Sequence, residues 1–331
     1  MAADIAAMAS GRPDPAPGQG PPLRLATRRS ALALAQTRLV AEALQAAWRG
    51  LRVELVPVVT EGDRRRDVAT SALGGKGVFT AAVQEAVLDG RADLAVHSAK
   101  DLPAAQTPGL VLAAVPERAD PRDVLVAREP VRGLDDLPTG ASVGSGSPRR
   151  VALLRWLRPD LEVVPLRGNV DTRLRKARSG ELDAVVLAAA GLERLGLAGE
   201  PAAALDPDLF TPAPGQGCLA VEARERDTRV LGLASAITHR PSRTALRGER
   251  AFLAGLGGSC TLPAGAILSS RGHGRLDIQG FLAAADGKGM VRERLAGPLD
   301  DPESLGEVLA SRLLEACTPE VRALVEAARR T

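Results

Sequence analysis

From Leu23 onward, short apolar runs alternate with stretches of helical period, and this rhythm narrows the possible folds more than any other feature of the chain. Leu23-Arg24-Leu25-Ala26 reads as a strand, and Ser30 can cap a helix carried by Leu32, Leu34, Leu39, Val40 and Leu44. A β-branched strand is expected over Val53–Val59, a helix over Phe79–Leu88 ending at Gly90, and a third strand at Leu94-Ala95-Val96. That βαβ order implies a parallel sheet with right-handed crossovers. A second series opens near Asp123, with strands at Val124–Val126, Ala141–Val143, Leu161–Val164 and Ala184–Ala188. It breaks at Thr211-Pro212-Ala213-Pro214-Gly215-Gln216-Gly217. Beyond His239 the texture changes. A helix over Ala245–Leu256 precedes hairpin strands at Leu276–Leu282 and Val291–Leu295, turned at Asp286-Gly287, and terminal helices follow. The fold class is α/β: two similar domains plus a smaller α+β domain.

Composition removes several functions. Only 2% of the 331 residues are aromatic and none is Tyr, so the core must be Ala, Leu and Val, and a stacking platform for nucleic-acid bases is not expected. The net charge of +3 is too small for a general polyanion binder. A local basic cleft for a small acidic ligand remains open. No apolar run approaches the roughly 20 residues that span a membrane, so no membrane partner is expected. Three widely spaced cysteines and three histidines suggest neither a disulfide framework nor a metal site, which fits a reducing, cytoplasmic setting. Residues 1–21 are rich in Ala, Gly and Pro and are expected to be a disordered tail without a signal-peptide pattern.

The chemistry-bearing segments lie where strands end, which is where open α/β sheets bind ligands. Leu94-Ala95-Val96 runs straight into His97-Ser98-Ala99-Lys100-Asp101, stopped by Leu102-Pro103. The 43 basic residues include only four lysines, Lys76, Lys100, Lys176 and Lys288, which leaves 39 arginines. One of these scarce lysines sits beside a carboxylate at a strand end. Thr27-Arg28-Arg29-Ser30 also joins a strand to a helix. So does Ser145-Gly146-Ser147-Pro148-Arg149-Arg150, with Pro148 suited to the first helical position. Helix N-termini favour anions, and arginine adds a planar fork that matches carboxylates. Arg167-Gly168-Asn169 and Arg173 repeat the theme. Solvated charge would explain any one loop, but recurrence at equivalent places suggests a cleft gripping a molecule with many carboxylates. Gly74-Gly75-Lys76-Gly77 lacks the spacing of a phosphate-binding P-loop and suits a ligand loop or a tight turn. Cys260 follows Gly257-Gly258-Ser259, which would let another group approach its sulfur; otherwise it is a buried small hydrophobe, like Cys218 and Cys317. His97 is either a base or a structural hydrogen-bonding group.

Taken together and in order, these segments closely resemble the porphobilinogen deaminase (hydroxymethylbilane synthase) family. The others that carry the likeness are Asp120-Pro121-Arg122-Asp123, Ala189-Ala190-Gly191-Leu192-Glu193-Arg194-Leu195 and Pro214-Gly215-Gln216-Gly217. The likeness runs from about Leu23 to the C-terminus. It implies two doubly wound, periplasmic-binding-protein-like domains, with the first completed by chain returning after the second. The boundaries are 22–117 with 218–236, then 118–217, then 237–331. It implies an enzyme of tetrapyrrole and haem biosynthesis, a transferase that joins four porphobilinogen molecules head to tail with loss of ammonia and then releases hydroxymethylbilane by hydrolysis. The chain would grow on a dipyrromethane cofactor held by a thioether to Cys260, with Asp101 as the catalytic carboxylate. The binding set would be Arg28, Ser30, Lys76, Ser98, Lys100, Ser145, Ser147, Arg149, Arg150, Arg167, Asn169, Arg173, Arg194 and Gln216. No metal is implied, and the protein would act as a monomer. Ala72 stands where some relatives carry a second lysine, and Gly-Gly-Ser-Cys replaces Glu-Gly-Gly-Cys. A non-catalytic two-domain anion binder would explain the paired domains but not Cys260. A ligand-sensing regulator would need a DNA-binding helix pair that the sequence does not show.

Overall fold

The computed structural model describes residues 21–60, 80–200, 202–258 and 261–330. The Lys76 loop with Ala72, the cofactor cysteine Cys260 and nearly all of the expected N-terminal tail lie outside them. The chain opens with β1 (Leu23–Arg28), α1 (Ala31–Ala47), β2 (Val53–Val58), α2 (Ala81–Leu88), β3 (Leu94–Ser98) and β4 (Leu110–Ala114). It then crosses to a second sheet built from β5 (Asp123–Ala127), β6 (Ser142–Ser145), α3 (Pro148–Leu157), β7 (Glu162–Pro165), α4 (Val170–Arg178), β8 (Ala184–Ala188), α5 (Ala189–Arg194) and β9 (Ala202–Ala204). It returns for β10 (Leu219–Arg224) and α6 (Thr228–Ser235). The last part is α7 (Arg240–Gly255), β11 (Ala264–Gly272), β12 (Arg275–Leu282), β13 (Val291–Pro298), α8 (Pro302–Ala316) and α9 (Pro319–Arg330).

The two large sheets share one topology. Their strand orders are β2-β1-β3-β10-β4 and β7-β6-β8-β5-β9. In each, the first three strands are parallel and the fourth runs antiparallel to both neighbours. The sheets are therefore mixed rather than wholly parallel as the βαβ rhythm suggested. The reason is topological: each fourth strand enters from the other sheet, not from a local βαβ crossover, so nothing forces it parallel. The third sheet is the antiparallel meander β11-β12-β13. Its β12–β13 turn falls at Asp286-Gly287 as expected, with Gly287 at φ 81°.

Strand side chains are apolar on both faces because helices cover both faces. Leu25, Leu94 and Val96 join the core under α1 and α6, while Ala26 and Ala95 face α2. Leu125 and Ala127 point to one core of the second sheet, Val124 and Val126 to the other. The first of these also takes in Phe281 and Ala283, so the third sheet packs directly against the second. Helix starts follow the sequence. The Ser30 hydroxyl accepts from Ala33 N–H, and Ser147 caps α3 with Pro148 at its first position.

The three parts meet at Glu249, which is wholly buried on α7. Its carboxylate pairs with Arg118 of the outgoing crossover at 2.6 Å, accepts from Gly215 N–H of the return crossover at 2.6 Å, and accepts from Leu268 N–H of β11 at 2.9 Å. Arg118 also donates through Nε to Gln216 O at 2.8 Å. Removing one member of a buried pair leaves the other charge unmatched, so Glu249→Leu should lower the free energy of unfolding by about 3–5 kcal/mol. Urea denaturation would measure it, and a loss near zero would show that this junction carries little.

Candidate active site

Where the two large sheets face each other, the C-terminal strand ends bound an open cleft. Lys100, Arg150, Arg173 and Arg194 line it, with Ser98 and Gln36, and no Asp or Glu among the described residues does so. Such a wall is built for an anion carrying several charges.

Each cation is placed by its local fold. Ser98 ends β3 and exchanges hydrogen bonds with the Gln36 amide at 2.9 and 3.0 Å. The chain then tightens into the 3₁₀ turn Ala99–Asp101. Lys100 points inward and donates to Gln216 Oε1 at 3.3 Å. The Gln216 amide is turned that way because its Nε2 donates to Pro121 O at 2.8 Å and to Asp123 Oδ1 at 3.1 Å. Burial first, and then the nearby Arg150 charge, pull the Lys100 pKa down to about 8. Arg173 donates through Nε to Gly168 O at 2.9 Å, and burial with the Arg150 charge lowers its pKa to about 10. Arg194 donates to Gly217 O at 2.6 Å, and burial lowers its pKa too.

Behind the cleft lies Asp123, fully buried at the start of β5. It sits 2.7 Å from Arg149 Nη1 and 2.7 Å from Arg150 Nη2. Burial alone would raise its pKa, but the two guanidinium groups outweigh that and hold it at about 2. Arg149 is turned away from the cleft: it donates to Thr211 O at 2.8 Å and lies 6.0 Å from the Phe210 ring centre. Its Nε is buried with no hydrogen-bond partner. Among the described residues, Asp123 is the buried carboxylate that pairs with Arg149 and Arg150.

The remaining expected residues divide clearly. Ser145 is buried, and its hydroxyl accepts from Ser147 N–H at 3.3 Å. Asn169 caps α4 through Thr172 N–H at 3.0 Å, Arg167 is exposed before it, and Arg28 ends β1 beside Val58. None of these lines the cleft itself. Asp101 is exposed at the end of its turn. His97 is buried 3.2 Å from Glu222, the structural role left open for it. Cys218 is buried and its thiol is pushed up to about 12 by burial, so it is inert as a nucleophile. Asp123 and Gln36 were missed as site residues. Asp123 carried a signal, since a carboxylate opening an apolar strand needs buried cationic partners.

This is a cation-lined cleft between paired α/β domains, joined to a third domain. Residues 23–232 match the model for the dipyrromethane cofactor-binding domain of porphobilinogen deaminase, and residues 244–315 match its C-terminal domain. Porphobilinogen deaminase of Roseiflexus sp. (strain RS-1) is 50% identical over 293 residues, covering 88% of this chain and 96% of that protein. The Syntrophus aciditrophicus (strain SB) protein of the same name is 45% identical over 293 residues, covering 88% of this chain and 95% of its own. The chain belongs to the porphobilinogen deaminase family. It is accordingly a transferase of tetrapyrrole biosynthesis with a dipyrromethane cofactor.

The side chains fit such a group. Lys100, Arg150, Arg173 and Arg194 converge with one buried acid behind them, an imbalance that a polycarboxylate corrects. A lowered Lys100 pKa means the cofactor-free fold binds fewer protons than the unfolded chain between about pH 8 and 10.5. Stability of the cofactor-free protein should therefore rise with pH across that window, and Lys100→Met should flatten the rise. Urea midpoints at successive pH values measure it; an equally steep rise in Lys100→Met would remove Lys100 as its cause.

Proposed function

We propose that this cleft condenses four porphobilinogen molecules head to tail with release of ammonia, then frees hydroxymethylbilane by hydrolysis. The convergence of four cations on a cleft that no acid lines among the described residues is the observation that carries this reading. When bound, the dipyrromethane supplies the pyrrole end on which new units are joined. Cys260 holds it through a thioether. Arg150, Arg173, Arg194 and Lys100 grip ring carboxylates, with Ser98, Gln216 and the outer set Arg28, Ser30, Ser145, Ser147, Arg167 and Asn169 completing the track. Lys76 serves from its loop. Arg149 works from behind, sharing Asp123 with Arg150 so that the Arg150 fork stays aimed.

Asp101 is the catalytic carboxylate. Its place at the end of β3, beside Lys100, supports this reading, since a fixed negative charge there would stabilise positive charge developing on the substrate pyrrole. Lys100 keeps a compensating charge beside it. We also take the protein to be a cytoplasmic monomer organised as domains 22–117 with 218–236, 118–217 and 237–331. The free thiols of Cys218 and Cys317 support the reducing compartment.

Asp101→Asn keeps the shape and loses the charge, so turnover should drop roughly 10²–10³-fold with the fold intact. Near-normal activity of the purified variant would defeat the assignment. Intact mass tests the attachment. The purified protein should be heavier than its sequence by one dipyrromethane, and Cys260→Ser should lose that increment because a hydroxyl is the poorer nucleophile. Cys218→Ser and Cys317→Ser should retain it. An adduct that persists in Cys260→Ser would place the linkage elsewhere.

A further inference from the structure

The turn that carries Asp101 is held by different means on its two sides. On entry, the β3 ladder and the Ser98–Gln36 pair hold it, and Ala99 N–H donates to Cys218 O at 3.0 Å. On exit, Pro103 and Ala104 have left the sheet, and their carbonyls need partners. One guanidinium takes both: Arg250 Nη2 donates to Pro103 O at 2.9 Å and to Ala104 O at 3.0 Å. Arg250 follows the junction residue Glu249 on α7, so its helix is fixed against both crossovers. A Cβ added at Gly258, farther along the same stretch, would stand 3.3 Å from the Ala104 side chain. The exit segment is thus tied to the third domain through Arg250, with Gly258 leaving room for the Ala104 side chain.

The Arg250 site is not built for stability alone. Its Nη1 is buried without a hydrogen-bond partner. The carboxylate whose charge reaches it, Glu222, is already taken by His97 at 3.2 Å and by Gln84 Nε2 at 2.8 Å. An unmatched buried donor is unfavourable. Asp101, meanwhile, accepts no hydrogen bond from any described residue. Among the described residues its aim is therefore set by the backbone, which Arg250 holds on the exit side.

We propose that Arg250 is a positioning residue for the condensation: by clamping the Pro103 and Ala104 carbonyls it sets the Asp101 carboxylate in its working place without touching substrate. The proposal rests on reading Asp101 as the catalytic carboxylate. Misplacing a catalytic group by about 1 Å can cost on the order of 10²-fold in rate. In the cofactor-loaded enzyme, Arg250→Ala and Arg250→Lys should each lower kcat by about 10- to 100-fold while KM stays within about threefold. Intact mass should show the dipyrromethane still attached. Both bonds leave one nitrogen, Nη2, at the tip of a rigid planar group, and a lysine ammonium on its shorter, flexible stem does not reach or hold the same point, so it should not rescue. If Arg250→Ala fails to fold, Arg250→Lys decides alone. Unchanged kcat, or a loss carried by KM or by missing cofactor, would overturn the proposal. Asp101→Asn assayed alongside separates the two claims. An active Asp101→Asn removes the catalytic reading itself, whereas an inactive one beside fully active Arg250 variants removes only the clamp.

Discussion

The site is organised around a shortage of negative charge. Asp123 is the carboxylate buried beside Lys100, Arg149 and Arg150, and it pairs directly with both arginines. Through Gln216 it also orients the Lys100 ammonium. A second acid would quench the cleft, and none would leave the guanidinium groups to repel one another and turn outward. One acid holds the cations in place while leaving most of their charge uncompensated. Burial first, and then the neighbouring Arg150 charge, depress the pKa values of Lys100 and Arg173.

The cleft also depends on how the domains are joined. Glu249 binds a side chain from one crossover and a backbone N–H from the other, and so ties both connections between the large sheets to the third domain. The third sheet in turn shares its Phe281 with the core of the second. The helix that carries Glu249 also carries Arg250, so domain connection and the Asp101 turn are served by neighbouring residues. Gly215, which donates to Glu249, also lines the cleft, so the junction and the cation wall share a stretch of backbone.

Much of this was legible in the chain. Ser30 and Ser147 mark their helix starts because a short hydroxyl before an apolar period satisfies free backbone N–H groups, and both do so here. The run from Leu94 to Asp101 gives away its strand and its polar turn. The strands β4, β9, β10 and β11 are harder to see. Their sequences are short apolar or small-residue stretches without helical alternation, and their pairing is decided by chain that arrives from far away. Helix α7 begins five residues before its apolar period because Arg240–Thr244 makes a polar first turn. The burial of Arg149 was also invisible, since adjacent arginines look alike in sequence. Only the helix geometry shows that one faces the cleft and its neighbour faces Thr211 and Phe210.

The way each large sheet borrows its fourth strand has a consequence for how the chain is made. β5 reaches the second sheet before the rest of that sheet is synthesised, so its pairing with β8 is available as soon as β8 emerges. β10 pairs with β3 and β4 only after the whole second sheet has been translated. Until then the newly made first sheet carries two unpaired edges, at β3 and β4, beside the segment that will hold Asp101. Open edges of that kind template association with other chains. During synthesis the N-terminal half is therefore the vulnerable half: the second sheet closes first, and the first sheet waits on it. A chain broken off between 205 and 218 would retain every strand of the second sheet and lose the one that closes the first.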